Sequence, residues 1–557
     1  MQLQTLRYAI DDTAAGAVAT ITFDQQDSPV NTMCRQWQDD LVAVTEQVVK
    51  DKDRLKGLIL ASAKKTFFAG ADLKGVMRNT AADAASVFAE IERIKKCFRT
   101  LETLGLPVVT CINGSALGGG METALVGHHR IAVDDAKLQL GLPELTLGLI
   151  PGGTGITKFT RLLGLMAAQP YIMESKLFGP REALEIGVVH ELVASADELR
   201  PRALAWIAEH PQAQHPWDAK GYKLPGGTPA SPKIAGALVV APAMLKLKTR
   251  GRYPAPEAAL AAMVEGAQVD YDTASRIESR YLASLMTGPV AKNMINTFFF
   301  NLNAIKSGQS RPQGVPRSKV QKVGVLGAGM MGAGIAWAQA SRGIATVLKD
   351  VSLEKAEHGK AYSAKLTQKR VDKGRMSALE QQALLGRITP TANAADLKGC
   401  ELIIEAVFEN RELKAQVTKE AEPMLAGGGF FASNTSTLPI TGLAQASRDA
   451  RKFIGIHFFS PVDKMKLVEI IRGQQTDDET VARAYDYVLA LGKLPIVVND
   501  SRGFYTSRTF GTFVMEGAAM LGEGIPAAVI ENAAVQAGLP VGPLAVLDET
   551  ALSLSVH

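Results

Sequence analysis

The chain has 557 residues, which is too long for a single ordinary core and predicts two or more domains. Apolar residues make up 46% and charged residues 21%, a balance typical of a soluble globular enzyme and not of a disordered or membrane-embedded protein. The net charge of +5 suits an anionic metabolite, and without a long Lys/Arg block we expect no nucleic-acid partner.

The four cysteines and the N-terminal residues bear on the compartment. Cys34, Cys97, Cys111 and Cys400 lie far apart with no C-x-x-C pair, so neither a disulfide framework nor a metal site is expected. The N-terminus lacks a basic start followed by a long apolar run. We therefore expect a cytoplasmic protein without stable membrane insertion.

The first half of the chain alternates between strand and helix patterns. The pattern predicts strands at 17–23, 56–62 and 107–112, separated by helices at 34–50 and 81–104. This alternation indicates a layered α/β domain over residues 1–190. Ala- and Leu-rich helices are expected to dominate residues 191–305.

A polar stretch rich in Gly and Pro at 307–316 is predicted to be a linker, so a helical extension and linker would occupy 191–317. The α/β pattern then restarts at 318–500, with a strand at 320–326, a helix at 330–342 and a strand at 344–349. The next strand is predicted only at 401–407, and the charged, mostly helical residues between would form a lid or substrate-contacting arm. Residues 501–557 are interpreted as a partial helical domain. The fold class is therefore α/β multidomain.

A glycine motif follows the strand at 320–326. Gly327, Gly329 and Gly332 form G-x-G-x-x-G, and Asp350 ends the following strand. In this context Gly327 allows a tight turn, Gly329 lets a pyrophosphate approach the backbone, and Gly332 allows close packing of helix against strand. Met330 and Met331 begin the helix whose N-terminus would face the phosphates. A carboxylate at Asp350 would bind a ribose and repel a 2′-phosphate, so NAD is favoured over NADP; the alternative is a purely structural turn.

Two later segments could place reactive groups against this cofactor. His457 lies in an aromatic strand and Glu469 follows on the next apolar stretch, and a His held by a carboxylate is a common general base. Ser436 follows an apolar strand, at the edge where α/β sheets place ligands. From the pattern alone, a histidine in such a strand is more often a hydrogen-bonded core residue than a catalytic one.

The segments VGVLGAGMMGAGIA, LIIEAVFEN, FASNTSTLPI and GIHFFSPVDKMKLVEII resemble, in this order, the L-3-hydroxyacyl-CoA dehydrogenase family over residues 318–505. The resemblance implies that His457 takes the hydroxyl proton while a hydride leaves for NAD, and that Glu469 orients His457. It also implies that Ser436 hydrogen-bonds the substrate oxygen and that Glu405 lies near the nicotinamide. Ser460 and Ser507 depart from the family pattern, which often has Asn in these places, and their hydroxyls can still hydrogen-bond.

The first half contains two glycine-bearing turns after predicted strands, at 67–72 and 113–120. Backbone N–H groups at such strand-to-helix junctions are free to bind a ligand, and two of them converging on one oxygen would make an oxyanion hole. Glu122 and Glu144 follow, and paired carboxylates can divide acid and base roles. The alternative is that these glycines only allow close packing.

The segments FFAGADL, INGSALGGGMETAL and GLPELTLGLIPGGTG resemble the crotonase, or enoyl-CoA hydratase, superfamily over residues 1–190. The resemblance implies that Ala71 and Gly119 donate to the thioester oxygen. It assigns Glu122 and Glu144 to the water added at C3 and the proton delivered at C2. Because both glutamates are present, hydration is favoured, and double-bond isomerisation at the same site stays open.

Together the two halves resemble multifunctional fatty-acid β-oxidation enzymes. The resemblance implies hydration of trans-2-enoyl-CoA to L-3-hydroxyacyl-CoA, oxidation with NAD to 3-oxoacyl-CoA, and pairing with a thiolase subunit. The family continues with further helical segments, of which residues 505–557 resemble only the first part, so we expect hydratase activity to be retained better than dehydrogenase activity. The alternative function is a non-catalytic assembly subunit that binds CoA esters and a thiolase.

Overall fold

The computed structural model describes residues 1–549, and its Cα positions divide the chain into two compact units. Unit 1 is Met1–Phe300 and unit 2 is Asn301–His557. The last eight residues of the predicted 501–557 domain lie outside the described residues.

Unit 1 is built on a six-stranded sheet in the order β1-β2-β3-β4-β6-β8, with a small β5-β7 pair beside it. β1 runs antiparallel to β2, and the remaining neighbours are parallel. The strands are β1 (Leu6–Thr13), β2 (Gly16–Phe23), β3 (Gly57–Ser62), β4 (Val108–Ile112), β5 (Ala116–Leu117), β6 (His129–Val133), β7 (Leu140–Gly141) and β8 (Glu191–Val193).

The helices of unit 1 cover this sheet and extend well beyond residue 190. They are α1 (Arg35–Asp51), α2 (Leu73–Arg78), α3 (Ala84–Glu102), α4 (Gly119–Ala124), α5 (Gly155–Leu163), α6 (Leu165–Met173), α7 (Pro180–Glu185), α8 (Leu199–Glu209), α9 (Pro232–Thr249), α10 (Pro254–Gly266), α11 (Tyr271–Thr287) and α12 (Pro289–Ile295). Ala259 and Met263 of α10 and Ile295 of α12 belong to the same apolar core as β3 and β4. The helices after residue 190 therefore complete the core of the first α/β layer.

Sequence periodicity located the central strands of unit 1 correctly. β4 is buried along its whole length, as parallel strands covered on both faces are, and its apolar sequence VVTCI shows this. β1 was not predicted. It is an edge strand whose sequence carries Asp11 and Asp12, and its half-exposed pattern gives a weak apolar signal.

Unit 2 is built on an eight-stranded sheet in the order β11-β10-β9-β12-β13-β14-β15-β16. β14 and β15 are antiparallel, and all other neighbours are parallel. The strands are β9 (Lys322–Leu326), β10 (Ala345–Lys349), β11 (Ile388–Thr391), β12 (Cys400–Glu405), β13 (Leu425–Ser433), β14 (Phe453–Phe458), β15 (Leu467–Arg472) and β16 (Leu494–Asn499). The helices are α13 (Leu302–Ser307), α14 (Met330–Ala340), α15 (Leu353–Val371), α16 (Ala378–Gly386), α17 (Arg411–Ala421), α18 (Ile440–Leu443), α19 (Asp478–Ala490), α20 (Thr506–Gly522), α21 (Ala527–Ala537) and α22 (Pro543–Glu549).

Two predictions for this region need correction. A strand, β11, precedes the one predicted at 401–407; it is a four-residue edge strand containing Pro390, so it carries almost no strand signal. The stretch 307–316 is not a solvated linker throughout. The guanidinium of Arg311 is buried there and donates to both carboxylate oxygens of Asp486 on α19, at 2.8 and 2.9 Å.

Candidate active sites

A cavity of about 440 Å³ in unit 1 brings together the four predicted hydratase residues. Ala71, Gly119, Glu122 and Glu144 all line it, although they come from different loops and helices. Its remaining wall is largely apolar and includes Val76, Val87, Ile91, Ile94, Leu149, Ile150, Leu282 and Met286. The cavity thus combines a polar end with a wall that suits an acyl chain.

The two glycine-bearing turns lie against each other at the polar end. A Cβ built on Gly70, whose φ is +101°, would lie 3.0 Å from the carbonyl oxygen of Leu117 and 3.7 Å from the nitrogen of Gly119. Gly119 begins α4, so its N–H has no acceptor within that helix. Ala71 follows Gly70 directly, and both turns therefore present their backbone to one cavity.

Glu122 is a buried carboxylate held by backbone N–H groups. Its Oε1 accepts from the nitrogens of Gly153 and Gly155 at 2.6 and 2.7 Å. Burial raises the pKa of Glu122 to about 7, and the nearby charge of Glu278 adds to this rise. These N–H donors favour the charged form, so Glu122 can change its charge near neutral pH.

Glu144 reaches the same cavity from the turn 144–147. Gly118 has φ +56°, and a Cβ there would lie 2.6 Å from Glu144 Oε1, so a larger residue would be strained and would displace this carboxylate. Oε2 is buried and has no hydrogen-bond partner within residues 1–549. Burial, and then the charge of Glu122, raise the pKa of Glu144 well above its usual value. One carboxylate can therefore accept a proton while the other donates one.

In unit 2, a cavity of about 1060 Å³ lies at the carboxyl ends of β9, β10 and β12. Gly327, Gly329, Met330, Met331 and Asp350 all line it, as the glycine motif predicts. Further lining residues are Leu326, Ala328, Lys349, Val351, Glu354, Lys355, His358, Ala406, Val407 and Phe408.

Each of the three motif glycines is needed for a different structural reason. Gly327 has φ +92°, and its Cβ would lie 2.7 Å from the carbonyl oxygen of Ala406. A Cβ at Gly332 would lie 1.8 Å from the carbonyl oxygen of Gly327, so this glycine allows α14 to pack on the turn. Among residues 1–549, no atom beyond the two adjoining residues lies within 4 Å of a Cβ at Gly329, so this side of the turn is open to a ligand. The cradle therefore fits a dinucleotide pyrophosphate at the N-terminus of α14.

Asp350 lies at the end of β10 beside this cradle. Its Oδ2 accepts from the nitrogen of Ala328 at 2.6 Å, and its Oδ1 accepts from the nitrogen of Val351 at 2.7 Å. The carboxylate thus stabilises the glycine turn and places negative charge in the cavity, which disfavours an additional phosphate there. This fits NAD better than NADP.

His457 and Glu469 are direct partners on the antiparallel strands β14 and β15. His457 Nδ1 lies 2.9 Å from Glu469 Oε2, and both side chains are buried. Thr506 donates to the same carboxylate from its hydroxyl at 2.6 Å and from its backbone nitrogen at 2.9 Å. Burial raises the pKa of Glu469, but the hydrogen bonds from His457 and Thr506 outweigh it and the pKa lies below its usual value. An ionised Glu469 keeps the proton of His457 on Nδ1, so Nε2 is free to accept one.

The acid beside Ser436 is Glu409, a residue that the sequence analysis did not single out. Glu409 Oε1 accepts from the nitrogens of Ser436 and Thr437, both at 3.2 Å, and from the hydroxyl of Thr435. It therefore holds the turn that carries Ser436. Sequence analysis missed Glu409, although its place in LIIEAVFEN, four residues after Glu405, is visible in the sequence.

Glu405 is fully buried and does not line the cavity. Both of its carboxylate oxygens accept from Lys414 Nζ at 3.0 Å, and Ser433 donates to it. The apolar sequence of β12 does not indicate that the carboxylate at its end forms a buried ion pair. In this position Glu405 supports the strand ends around the cavity through Lys414 and Ser433.

The two serines that depart from the family pattern both lie near these groups. The Ser460 hydroxyl is 3.5 Å from the sulfur of Met330 at the cofactor cradle. The Ser507 hydroxyl donates to the carbonyl oxygen of Ser436 at 3.4 Å, so α20 contacts the turn that carries Ser436.

Within residues 1–549, no helix is long and apolar enough to span a membrane. Three family models match the chain in order. They are enoyl-CoA hydratase/isomerase at 13–216, the NAD-binding domain of 3-hydroxyacyl-CoA dehydrogenase at 322–501, and the C-terminal domain of 3-hydroxyacyl-CoA dehydrogenase at 503–557.

Relatives match nearly the whole chain. The fatty acid oxidation complex subunit alpha of Shewanella amazonensis is 34% identical over 543 residues, which cover 96% of this chain and 75% of the relative. The subunit of the same name from Shewanella baltica is 32% identical over 539 residues, with the same coverage. Among solved structures, (S)-3-hydroxybutyryl-CoA dehydrogenase from Ralstonia eutropha is 36% identical and covers 43% of this chain and 85% of its own, with a TM-score of 0.42.

Proposed function

The chain belongs to the family of fatty acid oxidation complex alpha subunits, which makes it a bifunctional enoyl-CoA hydratase and NAD-dependent 3-hydroxyacyl-CoA dehydrogenase, and we propose which residues carry the two reactions. Its fold is a crotonase-like domain, a helical region and a Rossmann-type NAD-binding domain. It hydrates trans-2-enoyl-CoA to L-3-hydroxyacyl-CoA and oxidises this product to 3-oxoacyl-CoA with NAD. Isomerisation is also within the range of the first family model.

For hydration, the proposed oxyanion hole is the pair of N–H groups at Ala71 and Gly119. Addition of water at C3 builds enolate charge on the thioester oxygen, which these groups would stabilise. Glu122 is proposed as the base that takes a proton from water, since two N–H groups support its charged form. Glu144 is proposed as the acid that delivers a proton to C2, since its buried Oε2 has no partner within residues 1–549.

For dehydrogenation, the proposed base is His457. Its Nε2 would take the hydroxyl proton, while Glu469 holds the other ring nitrogen and stabilises the charged imidazole. Ser436 is proposed to hydrogen-bond the substrate oxygen, and Glu409 keeps its turn in place. When bound, NAD supplies the hydride acceptor. The residues proposed to hold it are Gly327, Gly329, Met330, Met331 and Asp350, with Gly332 packing behind them.

The remaining parts of the proposal concern organisation and partners. We assign residues 1–190 and 191–317 to the hydratase and its helical extension, and 318–500 and 501–557 to the dehydrogenase. The relatives are named as subunits of a complex, and the 3-oxoacyl thioester product is a substrate for thiolytic cleavage. We therefore propose a thiolase as the partner subunit. The four free cysteines are in keeping with a cytoplasmic location.

The observation that carries the proposal is that Ala71, Gly119, Glu122 and Glu144 line one cavity. Its test is the hydration of crotonyl-CoA by Glu122→Gln and Glu144→Gln variants of the full chain. Each variant is expected to lose about 10²–10⁴-fold in kcat while the KM changes little, because acid–base assistance is lost and the oxyanion hole remains. Oxidation of L-3-hydroxybutyryl-CoA serves as the internal control and should be unchanged. A variant that keeps native hydration kcat would remove that glutamate from the mechanism.

A further inference from the structure

Residues 153–157 are held between two buried carboxylates. The N–H groups of Gly153 and Gly155 donate to Glu122, as described above. The N–H groups of Thr154 and Thr157 in the same segment donate to a second carboxylate, that of Glu278 in α11. The position of Glu122 therefore depends on a backbone segment that Glu278 also binds.

Every oxygen of Glu278 is used in this arrangement. Oε1 accepts from the nitrogen of Thr154 at 2.7 Å and from Lys95 Nζ at 3.0 Å. Oε2 accepts from the nitrogen of Thr157 at 2.8 Å and from the Thr157 hydroxyl at 2.9 Å. Glu278 is 1% exposed and Lys95 4% exposed. Lys95 also donates to the carbonyl oxygen of Ser275, at 2.7 Å.

Thr154 has an unusual backbone conformation at the centre of this segment. Its φ is +90°, in the left-handed region that a β-branched residue rarely adopts. Such a conformation costs free energy and persists only where the surroundings impose it, most often at functional sites. The N–H of Thr154 is the one that Glu278 Oε1 accepts, so Glu278 holds this conformation directly.

General stability is a poor explanation for this ion pair. A buried pair such as Lys95–Glu278 gains little stability over apolar residues of the same volume, because both charges lose their hydration. The pair does place two charged groups close enough to Glu122 to affect its pKa. The charged groups that face Glu122 are Glu144, Glu278, Lys95 and Lys158, the last of which is paired with Glu102.

We propose that Glu278, with Lys95, is a positioning residue for hydration that fixes the 153–157 segment beneath Glu122 and places a second negative charge behind it. The inference rests on the proposed role of Glu122 as the base. It also gives the helical extension a part in the reaction, since Glu278 lies in α11, outside the residues 1–190 assigned to the hydratase. The charge of Glu278 is among the causes that raise the pKa of Glu122, and that of Lys95 opposes it.

The test is the pH dependence of crotonyl-CoA hydration by a Glu278→Gln variant of the full chain. Loss of the carboxylate removes a like charge and leaves Lys95 unpaired, so the acid limb of the kcat profile should move down by on the order of one pH unit. The kcat at its optimum should fall by about 10–100-fold, because residues 153–157 shift. The KM should change little, since Ala71 and Gly119 are not touched.

Two further variants separate positioning from folding. The double variant Lys95→Met/Glu278→Gln leaves no unpaired buried charge, so it should fold even where the single variant does not. The acid limb of its kcat profile should also lie at lower pH than that of the native chain. Ser279→Ala is the matched control. It removes the partly buried hydrogen bond from α11 to Glu92 without changing the charge near Glu122, so the acid limb of its kcat profile should not move.

A lowered kcat with an unmoved acid limb in both Glu278 variants would overturn the inference and leave Glu278 with a structural role only. This outcome is distinct from failure of the proposed function, in which Glu122→Gln itself would retain hydration.

Discussion

The contact between His457 and Glu469 leads to a quantitative prediction for Glu469→Gln. Oε1 of Glu469 accepts from the backbone nitrogens of Tyr505 and Thr506 at 3.1 and 2.9 Å. The glutamine oxygen must therefore take the Oε1 place, since its NH₂ group would otherwise face two N–H donors. The NH₂ group then lies against His457 Nδ1 and donates to it, so the imidazole proton moves to Nε2.

An imidazole with its proton on Nε2 cannot accept the substrate hydroxyl proton. By analogy with the loss caused by the wrong tautomer in a serine protease triad, the kcat for oxidation should fall by about 10³–10⁴-fold. This corresponds to about 4–5.5 kcal/mol in activation free energy. The assay is NADH formation from L-3-hydroxybutyryl-CoA, with crotonyl-CoA hydration as the control that should not change.

A matched variant, Thr506→Val, removes the hydroxyl that donates to Glu469 Oε2 but leaves the backbone N–H and the tautomer. Its kcat should fall by about 10–100-fold, in line with one lost charged hydrogen bond. If Glu469→Gln loses less than Thr506→Val, the tautomer argument is refuted.

Three further predictions concern the cofactor cradle and the response to acid. Gly332→Ala should lower the thermal stability of unit 2, since its Cβ would lie 1.8 Å from a carbonyl oxygen. Gly329→Ala should instead weaken NAD binding without changing stability. Equal melting temperatures for the two variants would contradict this. Asp350→Asn should raise the KM for NAD by about tenfold or more and reduce the ratio of kcat/KM for NAD to that for NADP. An unchanged ratio in steady-state kinetics would show that Asp350 does not select NAD. Burial lowers the pKa of His128 to about 4 and of His190 to about 3, against about 6.5 in the unfolded chain. Both bind protons more readily when unfolded, so their contribution to stability is present above pH 6.5 and is lost as the pH falls toward 4 for His128 and toward 3 for His190. Urea unfolding of His190→Asn should show a smaller loss between pH 7 and pH 5 than the native chain, and an equal loss would count against this.

The residues of the cofactor cradle can be proposed from the sequence because the pattern that indicates them is local. The turn from Gly327 to Gly332 needs specific residues within six positions, and Asp350 ends the next strand. The same holds for His457 and Glu469: the antiparallel pairing of β14 with β15 puts them opposite each other. Glu405 shows the limit, since its strand predicts its position but not that Lys414 draws its side chain away from the cavity.

Long-range contacts explain what sequence analysis missed. Glu278 and Lys95 are 183 residues apart and belong to helices whose periodicity gives no sign of a shared buried ion pair. The buried position of Arg311 was missed for the same reason. Its Gly- and Pro-rich neighbours predict a solvated linker, but its partner Asp486 lies 175 residues further along the chain. β11 was missed because an edge strand of four residues with a proline has no apolar periodicity.

The central claim is that one chain carries out two consecutive reactions at two separate groups of residues. The most direct measurement feeds crotonyl-CoA to the full chain with and without NAD and follows enoyl absorbance and NADH together. The enoyl signal should fall in both cases, and NADH should appear only with NAD and only after hydration. In Glu122→Gln neither signal should change from crotonyl-CoA, while L-3-hydroxybutyryl-CoA still yields NADH; in His457→Gln only the enoyl signal should fall. NADH formation from crotonyl-CoA by Glu122→Gln at the native rate, or no loss of enoyl absorbance in the native chain, would contradict the claim.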